Sequence, residues 1–330
     1  MLEKPNLLDE EILFQVQTQY GLQVAGLTFL PLGADQNTAV YRVEIGVAAY
    51  FLKLRRGAFD ELSVTIPRFL KSLGLQNLLS PLETRFGRLW GDLDEYRMFL
   101  YPFIAGEDGY AVGLSEAQWR AFGAALRGVH AAQLPAELFQ RLPREAWASY
   151  WRERVRRFQV QAEATSFADP TAIKLAAFLR EKRAEISHLV DRADQLALAL
   201  RARPLEFVLC HADVHPGNLL IAGDAFYLVD WDQPILAPKE RDLLLLGGCV
   251  SWNDPRALDR FYQGYGPVDV DKQALAYYRY ERVIEDLAVE CELILGSEAG
   301  GADREREYGY FVSNFLPGQT LELARRADES

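Results

Sequence analysis

Residues 206–232 constrain what this chain can fold into more than any other stretch. They read EFVLC, then HADVHPGN, then LLIAGDAFYLVDWD. Three short apolar runs, EFVLC, NLLI and AFYLVDW, have the length and β-branched or aromatic content of strands. Pro216 and Gly217 force a loop between the first and second. A strand therefore leads into a polar loop and a β-hairpin leads out, with Asn218 and Asp230 on neighbouring strands. Long helical patterns flank this β island on both sides, so the chain is read as α+β.

His211, Asp213 and Asn218 stand at the spacing His-x-Asp-x-x-x-x-Asn, the spacing of a phosphoryl-transfer loop. That chemistry needs one carboxylate at the loop tip to orient and receive the proton of an attacking hydroxyl, and Asp213 is placed for it. It needs an amide oxygen and a second carboxylate to hold Mg²⁺ against phosphates, and Asn218 and Asp230 qualify. Magnesium takes hard oxygen ligands and keeps several waters, so two protein ligands suffice. His211 is grouped with Asp213 as catalytic, with bracing of the loop as its expected part. The alternation of His211, Asp213 and His215 leaves a second reading open, a Zn²⁺ or Fe²⁺ site on one strand face.

The rest of the chain divides in two, residues 1–105 and 106–330. The first part reads as a helix over 7–20, strands over 22–30, 38–45 and 48–55, a helix over 60–73 containing Pro67, and a hairpin of 85–90 with 96–101 across GDLDE. The segment YPFIAGEDGY reads as a linker. The second part is mainly helical: 115–131 with a Ser115/Gln118 capping box, 145–160, 170–201, and helices from 238 to about 324. Net charge is −11, which argues against a nucleic-acid backbone as partner and suits a cationic small molecule. The three cysteines are far apart with no Cys-x-x-Cys, so a reducing compartment, the cytoplasm, is expected. The N-terminus is acidic and amphipathic, unlike a signal peptide, and no apolar run is long enough to span a membrane. Nothing points to an obligate protein partner.

A phosphoryl-transfer site needs a nucleotide grip. Lys53 lies mid-strand in YFLKL, sharing a face with Phe51, and is read as the anchor of the α/β-phosphates. Glu61 is its expected carboxylate partner, with Asp60 second. The turn Gly33-Ala34-Asp35-Gln36-Asn37 lies where a phosphate-covering loop would, and Gly33, Asp35 and Asn37 are the candidates there. Tyr101, Pro102, Phe103 and Ile104 are read as the adenine-binding hinge. For a cationic acceptor the candidates are Asp213, Asp232, Glu281, Glu285 and Asp286. The last three belong to a helix whose buried stripe is Tyr280, Val283, Ile284, Leu287 and Cys291. In WRERVRRF (151–158), Trp151, Val155 and Phe158 share one helix face and the charges are expected to face water.

VLCHADVHPGNLLI followed by LVDWDQPILAPKERDLLLLGG resembles the aminoglycoside phosphotransferase and choline kinase superfamily. GADQN, YFLKLRRGAFDEL, YPFIAG and GYGPVDVDKQALAYYRYERVIEDLAV resemble its spectinomycin phosphotransferase branch. The resemblance implies a bilobal protein-kinase-like fold, with a small antiparallel-sheet N-lobe and a large helical C-lobe. It also implies Mg·ATP as cofactor and a hydroxyl of a cationic antibiotic, spectinomycin above all, as acceptor. It carries Asp213 over as base, Asn218 and Asp230 as Mg²⁺ ligands, and Lys53 as phosphate anchor. The glycine-rich loop is reduced to Gly33, and no Asp-Phe-Gly or Ala-Pro-Glu segment is present, which argues against protein substrates. Kinases of amino alcohols, and a nucleotide-binding module without turnover, are the alternatives.

Overall fold

The computed structural model describes residues 4–32, 37–296 and 301–329. The chain packs as two compact units. One comprises residues 1–142 and 215–234, the other residues 143–214 and 235–330.

In the first unit, helix α1 (Asp9–Tyr20) buries Ile12, Val16 and Tyr20, a stripe at i, i+4, i+8, and ends at left-handed Gly21. Strands β1 (Gly26–Leu30), β2 (Thr38–Ile45) and β3 (Ala48–Arg56) follow, then α2 (Leu62–Ser72), β4 (Gly91–Leu93) and β5 (Tyr96–Pro102). They form an antiparallel sheet of order β1-β2-β3-β5-β4. The α1 stripe packs with Tyr41, Leu52, Leu54, Met98 and Leu100. Strand alternation turns Phe51, Lys53 and Arg55 to the other face. Strand β6 (Glu107–Asp108) and helices α3 (Glu116–His130) and α4 (Ala136–Arg141) complete this run. The Ser115/Gln118 capping box is formed.

In the second unit, α5 (Tyr150–Ala164), α6 (Pro170–Glu181) and α7 (Arg183–Arg201) lead to β7 (Val208–Cys210). The chain returns to the first unit for a 3₁₀ turn (Pro216–Asn218) and the hairpin β8 (Leu219–Ala222) and β9 (Ala225–Leu228), with β6 on the edge of β8. It then re-enters the second unit with β10 (Ile235–Ala237), which pairs with β7, and α8 (Glu240–Leu243), α9 (Pro255–Tyr265), α10 (Lys272–Leu295), α11 (Gly301–Ser313) and α12 (Thr320–Glu329). Tyr280, Val283, Ile284, Leu287 and Cys291 of α10 are all buried, as their spacing required.

Several expectations are corrected. The first strand starts at Gly26 rather than residue 22. The hairpin uses residues 91–93, not 85–90, and turns at Asp94-Glu95. Residues 85–90 instead wrap around Thr84, whose hydroxyl accepts from the Phe86 and Arg88 N–H groups. The helix expected over 170–201 breaks at Lys182. Residues 106–142 and the hairpin pack with the sheet unit. The two glycines of the expected linker have a steric cause. A Cβ on Gly106 would meet the Ile221 carbonyl oxygen at 2.5 Å, and one on Gly109 the Pro216 carbonyl oxygen at 2.7 Å. Pro67 lies inside α2, on its buried side.

Candidate active site

The second unit holds the loop that carries Asp213. Strand β7 delivers His211, which is fully buried. Both carboxylate oxygens of Asp242, in α8, are engaged by the loop backbone. Oδ2 accepts from the His211 N–H at 2.9 Å and Oδ1 from the Ala212 N–H at 2.7 Å. Ala212 is held left-handed, with φ of 73°, a conformation costly for a side chain with a Cβ and kept here by the two charge-assisted bonds. The His211 Nδ1 then accepts from the Asp213 N–H at 3.2 Å. His211 therefore engages Asp213 through the backbone, the bracing part expected of it. The Asp213 carboxylate meets the Arg282 guanidinium of α10, Nη1 to Oδ1, at 3.1 Å. Ala212, Asp213, Val214, Arg241, Arg282 and Glu285 line a small pocket around it.

The three acidic residues of α10 have different fates. Glu285 reaches the Asp213 pocket. Glu281 does not: it is buried against Arg152 at 3.1 Å, and burial pushes its carboxyl up to about 7 against the pull of Arg152. Arg152 is itself fully buried, so the expectation that the charges of residues 151–158 all face water is also corrected. Asp286 pairs with Arg282 at 3.0 Å. Burial raises it to about 6, with Arg282 pulling the other way.

The first unit holds the groups that the sequence assigns to phosphate and cation. His215 caps the 3₁₀ turn, its Nδ1 accepting from the Gly217 N–H at 3.1 Å. A Cβ on Gly217 would sit 2.9 Å from the His215 ring, which explains the glycine. Both imidazoles thus commit Nδ1 to backbone N–H groups of their own segments. In the hairpin Leu219 pairs with Leu228, and the Val229 N–H donates to the Asn218 carbonyl at 3.0 Å. Asn218 and Asp230 therefore leave the same end of one hairpin. Asp230 is left-handed, with φ of 63°, a conformation aspartate tolerates. Its Oδ1 lies 3.3 Å from the Lys53 Nζ, and the Asp232 Oδ1 lies 3.5 Å from the same nitrogen. Arg55 donates from Nη1 to the Asp232 Oδ2 at 2.9 Å. Asp232 is thus a partner of the β3 cations. The Asn218 amide oxygen and the Asp230 carboxylate are hard oxygen donors of the kind that suits Mg²⁺.

The expected Lys53–Glu61 pair is not formed. Glu61 precedes α2 and pairs with Arg141 at 3.2 Å, while the Asp60 carboxylate accepts from the Leu62 N–H at 2.9 Å and caps the helix. Lys53 is neutralised by the hairpin instead. Burial first, and the Asp232 and Asp230 carboxylates second, push the Tyr101 phenol well above its usual range, so it is a neutral neighbour of these groups. The Phe103 N–H, first past β5, donates to the Ala49 carbonyl at 3.1 Å, and Pro102 has no N–H. Arg42 stacks over the Phe103 ring, 4.6 Å from its centre. Gly33 and Asp35 lie outside the described residues. The Asn37 carbonyl accepts from the Arg56 N–H at 2.8 Å.

A profile of the phosphotransferase enzyme family matches residues 28–279. The chain belongs to that family. The phosphotransferase is 33% identical to spectinomycin phosphotransferase APH(9)-Ia, solved in complex with ADP and spectinomycin. The match covers 99% of this chain and 100% of that one, with a TM-score of 0.91. An amicoumacin kinase bound to AMP-PNP and Ca²⁺ (16% identity, 97% and 94% covered, TM-score 0.60) shares the fold. So does a choline kinase from Streptococcus pneumoniae (14% identity, 97% of each chain, TM-score 0.55). No curated protein matches the chain. The kinase-like α+β fold and the superfamily read from VLCHADVHPGNLLI both hold.

Proposed function

We propose that this phosphotransferase is a cytoplasmic small-molecule kinase, using Mg·ATP to phosphorylate a hydroxyl of a cationic aminocyclitol or aminoglycoside-type compound, with spectinomycin first among candidates. The observation that carries the reading is the meeting of Lys53 with Asp230 and Asp232. A strand lysine and a hairpin carboxylate within ion-pair distance are the two groups a nucleoside triphosphate and its cation would separate and share. Lys53 and Arg55 would bear on phosphate oxygens, while Asn218 and Asp230 would hold the cation. Mg²⁺, when bound, neutralises charge on the β- and γ-phosphate oxygens. Asp213 receives the acceptor's hydroxyl proton and aims its oxygen in line with the γ-phosphorus. Positioning and electrostatics supply most of the rate. Glu285 and the net charge of −11 favour a cationic acceptor, and the spectinomycin enzyme's likeness along the whole chain supports the choice of compound.

The test is a transfer assay with Mg·ATP over spectinomycin, other aminoglycosides and amino alcohols, read by product mass. A spectinomycin product heavier by one phosphoryl group (about 80 Da) is expected. Transfer to amino alcohols alone would replace the acceptor. Nucleotide binding without transfer to any compound would replace the enzyme reading with a binding module.

A further inference from the structure

Helix α10 supplies a group that the spacing of the Asp213 loop does not foretell. The Arg282 guanidinium bridges two carboxylates, with Nη1 3.1 Å from the Asp213 Oδ1 and Nε 3.0 Å from the Asp286 Oδ1 one turn further along. A planar guanidinium engaged on two edges has one orientation, and Asp286 sets it. The loop backbone at Asp213 is already fixed by His211 and Asp242. The carboxylate itself is partly covered, and Arg282 holds it at Oδ1. The other charged groups near Arg282 are Glu285 and Arg241, which line the same pocket, and Glu290, one turn past Asp286 and close enough to feel both.

We propose that Arg282 is a positioning residue for phosphoryl transfer, fixing the rotamer of Asp213 and favouring its ionised form, with Asp286 fixing Arg282 in turn. The inference rests on the reading of Asp213 as the group that receives the hydroxyl proton. A hydroxyl misaimed by an unfixed carboxylate loses the alignment on which the transfer depends, so the cost falls on kcat rather than on nucleotide binding.

The test compares Arg282→Met, Arg282→Lys, Asp286→Asn and Asp213→Ala in the full chain, with Mg·ATP and the acceptor phosphorylated in the screen above. Arg282→Met is expected to lower kcat about 10- to 100-fold with KM for ATP within twofold. It should also move the acid limb of kcat/KM up by about one pH unit, because the charge favouring the carboxylate is gone. Arg282→Lys should recover part of kcat, and so should guanidinium ion added to the Met variant. If Arg282→Met fails to fold, Asp286→Asn carries the test, since it frees the arginine without removing its charge and should still lower kcat. Arg282→Met with wild-type kcat and an unmoved acid limb, beside an inactive Asp213→Ala, overturns the role of Arg282 and leaves Asp213 as base. A fully active Asp213→Ala overturns the base itself.

Discussion

Asp213 reaches solvent on a loop with three consecutive N–H groups tied down, by His211 for its own residue and by Asp242 for the two before it. Removing its carboxylate, as in Asp213→Ala, is expected to lower kcat about 10²- to 10⁴-fold while the dissociation constant for Mg·ATP, measured by calorimetry, stays within twofold. Asp242→Ala acts differently. It orphans two buried N–H groups at a left-handed alanine, a loss of about 1–3 kcal/mol for each such group, so both the melting temperature and kcat should fall. An unchanged melting curve would show the brace to be dispensable. The groups of the Asp213 loop and Lys53 could be read directly because each is set by local pattern: a fixed spacing, or a lysine alternating with buried leucines. Their partners could not. Asp242 lies 30 residues from Ala212, Arg282 lies 69 from Asp213, and Arg55 lies 177 from Asp232. Only folding brings such pairs together. The Arg282–Asp286 pair alone left a local trace, an i, i+4 spacing of opposite charges.

At the level of elements, β2 matches its expected span because its alternation is uninterrupted, and its neighbour β1 falls short because pairing with β2 stops at Gly26. The displaced hairpin has a similar cause, since residues 85–90 and 91–93 are both short and apolar enough, and the register with β5 decides. Helix α10 shows what pattern could not supply. Its apolar stripe was legible, but the acidic residues beside it were not, because burial of a charge depends on what lies opposite. Glu290 is the extreme case. It is buried, its Oε2 has no hydrogen-bond partner, and burial, helped by Asp286 and Glu307, raises its pKa to about 9. The folded chain thus holds a proton there that the unfolded chain releases near its ordinary pKa of 4.5. Stability from this group is complete below that value, declines as pH rises, and levels off above about 9. Glu290→Gln, which cannot ionise, should therefore gain on the wild type steadily in melting temperature from pH 5 to pH 9. Parallel melting curves across that range would show that Glu290 is ionised in the fold.

For the molecule as a whole, the proposed nucleotide groups Lys53, Arg55, Asn218 and Asp230 all lie in the sheet-bearing unit. Mg·ATP at about 100 times its dissociation constant should stabilise the fold by about 2.7 kcal/mol, visible as a rise in melting temperature of several degrees, and EDTA should abolish most of it. A rise that survives chelation would remove the cation from the site. The interior of the helical unit carries the ion pair of Arg152 with Glu281, a charge pattern that looked solvated in sequence because the two residues are 129 positions apart. The two units are interleaved in the chain: residues 215–234 belong with the sheet, although helices of the other unit precede and follow them. Recombination between relatives of this enzyme is constrained accordingly. Chimaeras joined at 142, 214 and 234 keep each set of packed residues from a single parent, whereas one crossover at 105 takes the sheet from one parent and the hairpin from the other, dividing the contacts of Lys53 with Asp230 and of Asn77 with the Phe226 carbonyl between them.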